Sequence, residues 1–167
     1  MSSSCIRSLR ALASASTRLE AVTTVDLRAC EALQCKSMMC AKFGGACVCK
    51  LSKVLEQTAP RLTQLTTVVL ADNDLTLVPE SLWGIASLQT LDLSGNVLED
   101  VPVGIETLPD LRTLDLRSNR IVGESAPRLA MLPPSLMTLH LGGNPTPVDD
   151  LRLRCDCGGA STLDVVS

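Results

Sequence analysis

The sequence has almost no aromatic residues: it lacks Tyr, and Phe43 and Trp83 stand alone. A hydrophobic fraction of 46% must therefore come mostly from Leu, Val, Ile and Ala. That composition suits a stack of repeated units better than a globule built around large rings. No stretch approaches the roughly 18 to 20 consecutive apolar residues that a membrane-spanning helix needs, so no membrane span is expected. A basic stripe is missing too. Fifteen Lys and Arg stand against eighteen Asp and Glu, for a net charge of -3 and a pI near 5.1. Nucleic-acid binding relies on concentrated cations that displace phosphate counterions, so no nucleic-acid partner is expected. The 167 residues are enough for one domain with a substantial core.

Cysteine is present but unevenly placed. Cys5, Cys30, Cys35, Cys40, Cys47 and Cys49 lie near the start, Cys155 and Cys157 near the end, and none lies between. A disulfide-stapled module distributes its cysteines differently, and residues 1–19 lack the continuous apolar core of a secretory signal. A reduced, cytoplasmic chain is the expectation. The same N-terminal stretch carries Arg7, Arg10 and Arg18 and no acidic residue before Glu20, a composition that also fits a mitochondrial transit peptide. The cysteine spacings lack the paired CxxC knuckles of most structural zinc sites. No metal and no cofactor are expected, and a metal-binding Cys cluster is kept as a lesser alternative.

One pattern organises most of the chain. Leu88, Leu91, Leu93, Asn96 and Leu98 recur as Leu111, Leu114, Leu116, Asn119 and Ile121, a shift of twenty-three residues. The same pattern, LxxLxLxxN, appears earlier at Leu65, Val68, Leu70 and Asn73 and later at Leu136, Leu139, Leu141 and Asn144. A fainter copy runs Val22, Val25, Leu27, with Cys30 at the Asn position. The space between Val22 and Leu65 admits one more unit, placed near Phe43 with Ala46 and Val48 inward and Cys47 and Cys49 outward.

On these residues the chain resembles the leucine-rich-repeat superfamily. The half-repeats Val78-Pro79 to Ile85 and Val101-Pro102 to Leu108 resemble the short intracellular, Ras-suppressor-like type. The resemblance implies an α/β solenoid with a parallel strand on the concave face of each repeat, and a protein that binds other proteins.

The same architecture follows from the pattern itself. In each LxL segment the leucines point inward and the residue between them outward. The apolar set Leu98, Val101, Ile105 and Leu108 closes the core from the convex side. Asn73, Asn96, Asn119 and Asn144 are expected to satisfy backbone groups where the chain leaves the strand. A single unit cannot bury its own faces, so the ends need covers. Ile6, Leu9, Leu12 and Ala13 recur at helical spacing, which predicts a capping helix over residues 3–17, capped by Ser2, Ser3 or Ser4. The organisation expected is a capping helix or targeting segment over 1–20, five to six repeats over 21–145, and a C-terminal cap and irregular tail over 146–167. Within that cap, Leu151 to Cys155 alternates like an edge strand.

Function is expected on the outward strand positions. Their central column runs Asp26, Val69, Asp92, Asp115 and His140; two residues on runs Arg28, Ala71, Ser94, Arg117 and Gly142. Thr24, Thr67, Thr90, Thr113 and Thr138 form a ladder in front of the centre. The residues expected to contact a protein partner are Asp92, Asp115, Arg112, Arg117 and His140, with Val69 and Asp72 behind them. Trp83, equivalent to Glu106 in the next unit, is either a convex anchor for a second contact or a ring lying flat across its neighbours.

Asp92 and Asp115 on adjacent strands form a carboxylate pair of the kind used in glycoside hydrolysis. The open face and nearby Arg112 and Arg117 leave neither desolvated, so no catalytic residue is assigned and the chain is not expected to be an enzyme. Two functions follow: a non-catalytic protein-binding adaptor, or a structural subunit embedded in a larger assembly.

Overall fold

The computed structural model describes residues 4–14, 18–33, 48–122, 131–145 and 164–166. Among them, seven strands form one parallel sheet in sequence order: β1 (Ser4–Ile6), β2 (Val22–Asp26), β3 (Thr67–Val69), β4 (Thr90–Asp92), β5 (Thr113–Asp115), β6 (Thr138–His140) and β7 (Asp164–Val166). Among the described residues two α-helices, α1 (Leu9–Ala13) and α2 (Cys49–Thr58), and several single 3-10 turns carry the chain between strands. The expected α/β leucine-rich-repeat solenoid with parallel strands is present.

The repeat register holds residue for residue. Thr24, Thr67, Thr90, Thr113 and Thr138 pair in one row, Val25, Val68, Leu91, Leu114 and Leu139 in the next, then Asp26, Val69, Asp92, Asp115 and His140. The inward row is buried, and Leu88, Leu91, Leu93, Leu111, Leu114 and Leu116 are wholly enclosed. Full burial of such a side chain contributes about 1.5 to 3 kcal/mol. Leu82, Ile85, Leu98, Val101, Ile105 and Leu108 close the same core from the returns.

The asparagine ladder joins one unit to the next. The Asn96 amide donates to Leu70, Leu93 and Ser94 carbonyls at 3.0, 2.8 and 3.2 Å, and its oxygen accepts from the Asn73 and Leu75 N–H groups at 3.1 and 2.9 Å. Asn73 reaches Leu27, Leu70 and Ala71 carbonyls in the same way and accepts from Cys30 N–H at 2.8 Å. Cys30 thus ends the ladder, as its place in the pattern implies.

A second ladder accompanies the first. The residue before each ladder position, Ala29, Asp72, Gly95, Ser118 and Gly143, has φ of 47°, 56°, 64°, 53° and 74°. In the first four this left-handed turn aims the N–H at the next unit: Ala29 donates to the Ala71 carbonyl, Asp72 to Ser94, Gly95 to Arg117 and Ser118 to Gly142. Only two of the five are glycine, the residue that adopts this conformation without cost.

Three expectations are corrected at the ends and in the long interval. The N-terminal helix is confined to Leu9–Ala13, and Ser4–Ile6 is a strand paired with β2. Ser8 caps that helix, accepting from Ala11 N–H at 3.1 Å. The edge of β2 has open backbone groups, and three residues of strand satisfy them while still burying Ile6. No strand intervenes between β2 and β3, which pair directly. Cys49 begins α2 instead of occupying a strand, because Leu51, Val54, Leu55 and Thr58 recur at helical spacing and turn toward the core. No strand of an extra repeat therefore enters the sheet between β2 and β3; Cys35, Cys40, Phe43, Ala46 and Cys47 lie outside the described residues.

At the other end the tail is not irregular throughout. Asp164–Val166 pairs with β6, and the Leu141 N–H donates to the Val166 carbonyl at 3.1 Å. The predicted strand at Leu151 to Cys155, with Cys157, lies outside the described residues.

Candidate functional site

The outward face of β2 to β6 gathers most of the residues singled out in the sequence. Val69, Asp92, Asp115 and His140 share the central row, with Asp26 ahead of them. Arg117 flanks Asp115, and Arg112 is exposed one residue ahead of β5. Asp72 is exposed at the left-handed turn beyond β3, on the rim of the row.

The central aspartates first fix the strand exits. Asp26, Asp92 and Asp115 each accept, through Oδ1, from the N–H two residues later: Arg28 at 3.2 Å, Ser94 at 3.0 Å and Arg117 at 3.0 Å. This is a short polar side chain bonding its own backbone, which a strand-exit turn favours. Ser94 Oγ also donates to Asp92 Oδ1 at 2.6 Å.

The remaining carboxylate oxygens meet arginine. Arg117 grips Asp115 with Nε at 3.0 and 3.1 Å from the two oxygens and Nη2 at 2.6 Å from Oδ2. Burial pushes the Asp115 carboxyl up, but hydrogen bonds from the Arg117 side chain and backbone, with attraction to Arg117 and His140, outweigh it and hold it below its usual value. The Arg117 guanidinium is raised in turn, chiefly by its bonds to Asp115.

Arg28 Nη2 lies 3.4 Å from Asp92 Oδ2, two strands away. Strands are spaced about 4.8 Å apart, so this contact crosses the whole width of β3. It is possible because β3 presents only Val69 and Ala71 beneath it. The sequence columns placed Arg28 on this face without linking it to Asp92; the small residues at Val69 and Ala71 were the available signal.

Each member of the carboxylate pair thus has an arginine: Asp92 has Arg28 and Asp115 has Arg117. A general acid needs a carboxyl pushed upward, and Asp115 is pushed down. Next to it, His140 has a buried Nδ1 with no hydrogen-bond partner among the described residues.

Trp83 stands apart from this face. It lies on the 3-10 turn Glu80–Gly84, half-buried and packed against the core from the return side. Its ring rests against Gly104 of the next unit, and its Nε1 is buried without a partner among the described residues. The ring therefore packs on the return side of the stack, between the core and Gly104.

Among the described residues no group of three or more His, Cys, Asp or Glu has a metal-binding arrangement. Cys5 and Cys49 are exposed and Cys30 is partly buried; Cys155 and the rest of the cluster are undescribed. No described helix is long and apolar enough to cross a membrane.

The family model for leucine-rich repeats in two copies matches residues 86–129, and a second leucine-rich-repeat model matches residues 49–98. A comparison with curated proteins gives no match. Solved structures to which the chain is similar include Listeria monocytogenes InlP, at 32% identity over 52% of this chain and 23% of that one, with a TM-score of 0.43. Human 5T4, the Wnt-activated inhibitory factor 1 or trophoblast glycoprotein, is 26% identical over 58% of this chain and 36% of that one, with a TM-score of 0.48. The plant peptide hormone receptor RGFR1, in complex with RGF2, is 22% identical over 52% of this chain and 18% of that one, with a TM-score of 0.37. The chain spans 36% or less of the length of each of these structures. Over residues 49–129, where the family models match, the motif and the strand register are those of leucine-rich repeats.

Proposed function

We propose that the chain is a non-catalytic protein-binding module that holds a polar protein partner on the outward face of β2 to β6. The observation that carries this reading is the single uninterrupted row Asp26, Val69, Asp92, Asp115 and His140, flanked by Arg28, Arg112 and Arg117. Arginines already held by carboxylates are preorganised donors, which lowers the ordering cost of binding. Their exposed edges, with Val69 as a small apolar patch, suit a partner surface of mixed charge.

The test compares native affinity capture by the unaltered chain, by Val69→Lys, by Arg112→Glu and by Lys53→Glu. Lys53 is exposed on α2, away from the strand face. The expected result is a partner retained by the unaltered chain and by Lys53→Glu and lost from the two strand-face variants. An identical set recovered with all four would refute the assignment.

A further inference from the structure

On the return side of the stack lies a groove of about 1130 Å³, remote in the repeat register from the strand face. It arises from a mismatch. The ten-residue helix α2 forms the return after β2, whereas the next units return through single 3-10 turns. An α-helix with its side chains is about 10 Å across, so α2 makes a wall that the narrower turns beside it do not match. Ser81 Oγ donates to the Ser52 carbonyl at 3.5 Å where the two meet.

The repeat register arranges the lining. Leu77 and Asp100 occupy equivalent positions in successive units, and so do Glu80 and Val103. Apolar and acidic side chains therefore exchange places from one unit to the next. Leu77 and Val103 are 67% and 66% exposed, the most exposed large apolar residues among those described. Glu56, Glu80, Glu99 and Asp100 also line the groove, and no Lys, Arg or His does so among the described residues.

We propose that this groove docks a basic amphipathic peptide segment of a partner protein, its apolar side chains set on Leu77 and Val103 and its lysines or arginines facing Glu56, Glu80, Glu99 and Asp100. Two features select this occupant. The volume exceeds the roughly 300 to 1,000 Å³ of most small-molecule pockets. The charge is of one sign beside apolar anchors, which is complementary to a segment carrying both cations and apolar residues. The site is separate from the strand face, and either can fail without the other.

The probe is a fluorescein-labelled peptide of about twelve residues with lysine and leucine in amphipathic helical order, titrated with the full chain by fluorescence anisotropy. Leu77→Ser with Val103→Ser, and separately Glu80→Gln with Glu99→Gln, are each expected to weaken binding by about tenfold or more. An all-lysine peptide of equal length is expected to bind at least about tenfold more weakly. Glu31→Gln, exposed and outside both the groove and the strand row, leaves the affinity unchanged. All the altered positions in the groove are on the surface, so folding is retained and is checked by circular dichroism. Equal binding of the labelled peptide by the unaltered chain and both double variants overturns the proposal. So does equal binding of the all-lysine peptide, or loss of binding in Glu31→Gln.

Discussion

The Trp83 ring lies against the backbone of Gly104, so close that a Cβ at residue 104 would stand 2.5 Å from Trp83 Cδ1. Gly104 also has φ of 96°, a conformation that side-chain-bearing residues rarely adopt. The two residues therefore form one joint between successive returns.

Gly104→Ala is expected to destabilise the chain by about 2 kcal/mol or more, from strain and overlap together. Part of that cost is overlap with the ring, so Gly104→Ala costs less in a Trp83→Ala background. Urea unfolding of the two single variants and the double variant measures the coupling, expected at about 0.5 kcal/mol or more. Strict additivity would remove the joint from the account. Trp83→Phe keeps the ring and discards a buried N–H that has no described partner, so it is expected to cost less than Trp83→Ala.

Asn96→Ala strips three donated and two accepted hydrogen bonds from a buried site. With buried groups left unpaired, the expected loss is about 3 kcal/mol or more. Asn144 is less buried and makes fewer such bonds among the described residues, so Asn144→Ala is expected to cost less. Thermal or urea unfolding ranks the two.

Ser118→Gly is expected to stabilise the fold, because Ser118 holds φ of 53°, a left-handed conformation that strains a side-chain-bearing residue and not glycine. The gain is about 0.5 to 1 kcal/mol, the left-handed penalty less the added freedom of glycine when unfolded. A fall in the urea midpoint would contradict it.

The Asp115–Arg117 pair makes stability depend on acid. Asp115 is held below its ordinary value of 3.8 in the folded chain, so the pair's contribution is present above that value. It is lost as pH falls through the lower, folded value. Asp115→Asn is therefore expected to be less stable than the unaltered chain at neutral pH and to approach it in acid, as pH falls through the lowered Asp115 value. A gap that is the same at both pH values would assign the loss to packing.

Most of the sheet was readable because the period is strict: Thr67, Thr90 and Thr113 are twenty-three residues apart, and equal spacing fixes both register and face. The interval before Leu65 was not, for a physical reason. Cys47 and Cys49 were fitted to a strand by extending the period, while Leu51, Val54, Leu55 and Thr58 carried a helical one. β1 is three residues long, too short for alternation to show, and Ile6 also fits the helical series through Leu9 and Leu12.

The site divides in the same way. Columns within the repeat placed Val69, Asp92, Asp115, Arg117 and His140 together. The reach of Arg28 across β3 depends on side-chain length and on the small residues beneath it, which no period encodes. The groove beside α2 was missed because it comes from two unlike returns side by side, a break in the repeat.

Carboxyl labelling of the chain alone and in complex with its captured partner, by a carbodiimide and a small amine, tests the strand-face assignment most directly. Read by mass spectrometry, Asp26 and Asp92 are expected to lose labelling in the complex, while Glu31, outside the row, keeps its rate. Unchanged labelling of Asp26 and Asp92 in the bound chain would contradict the assignment of the strand face as the binding surface.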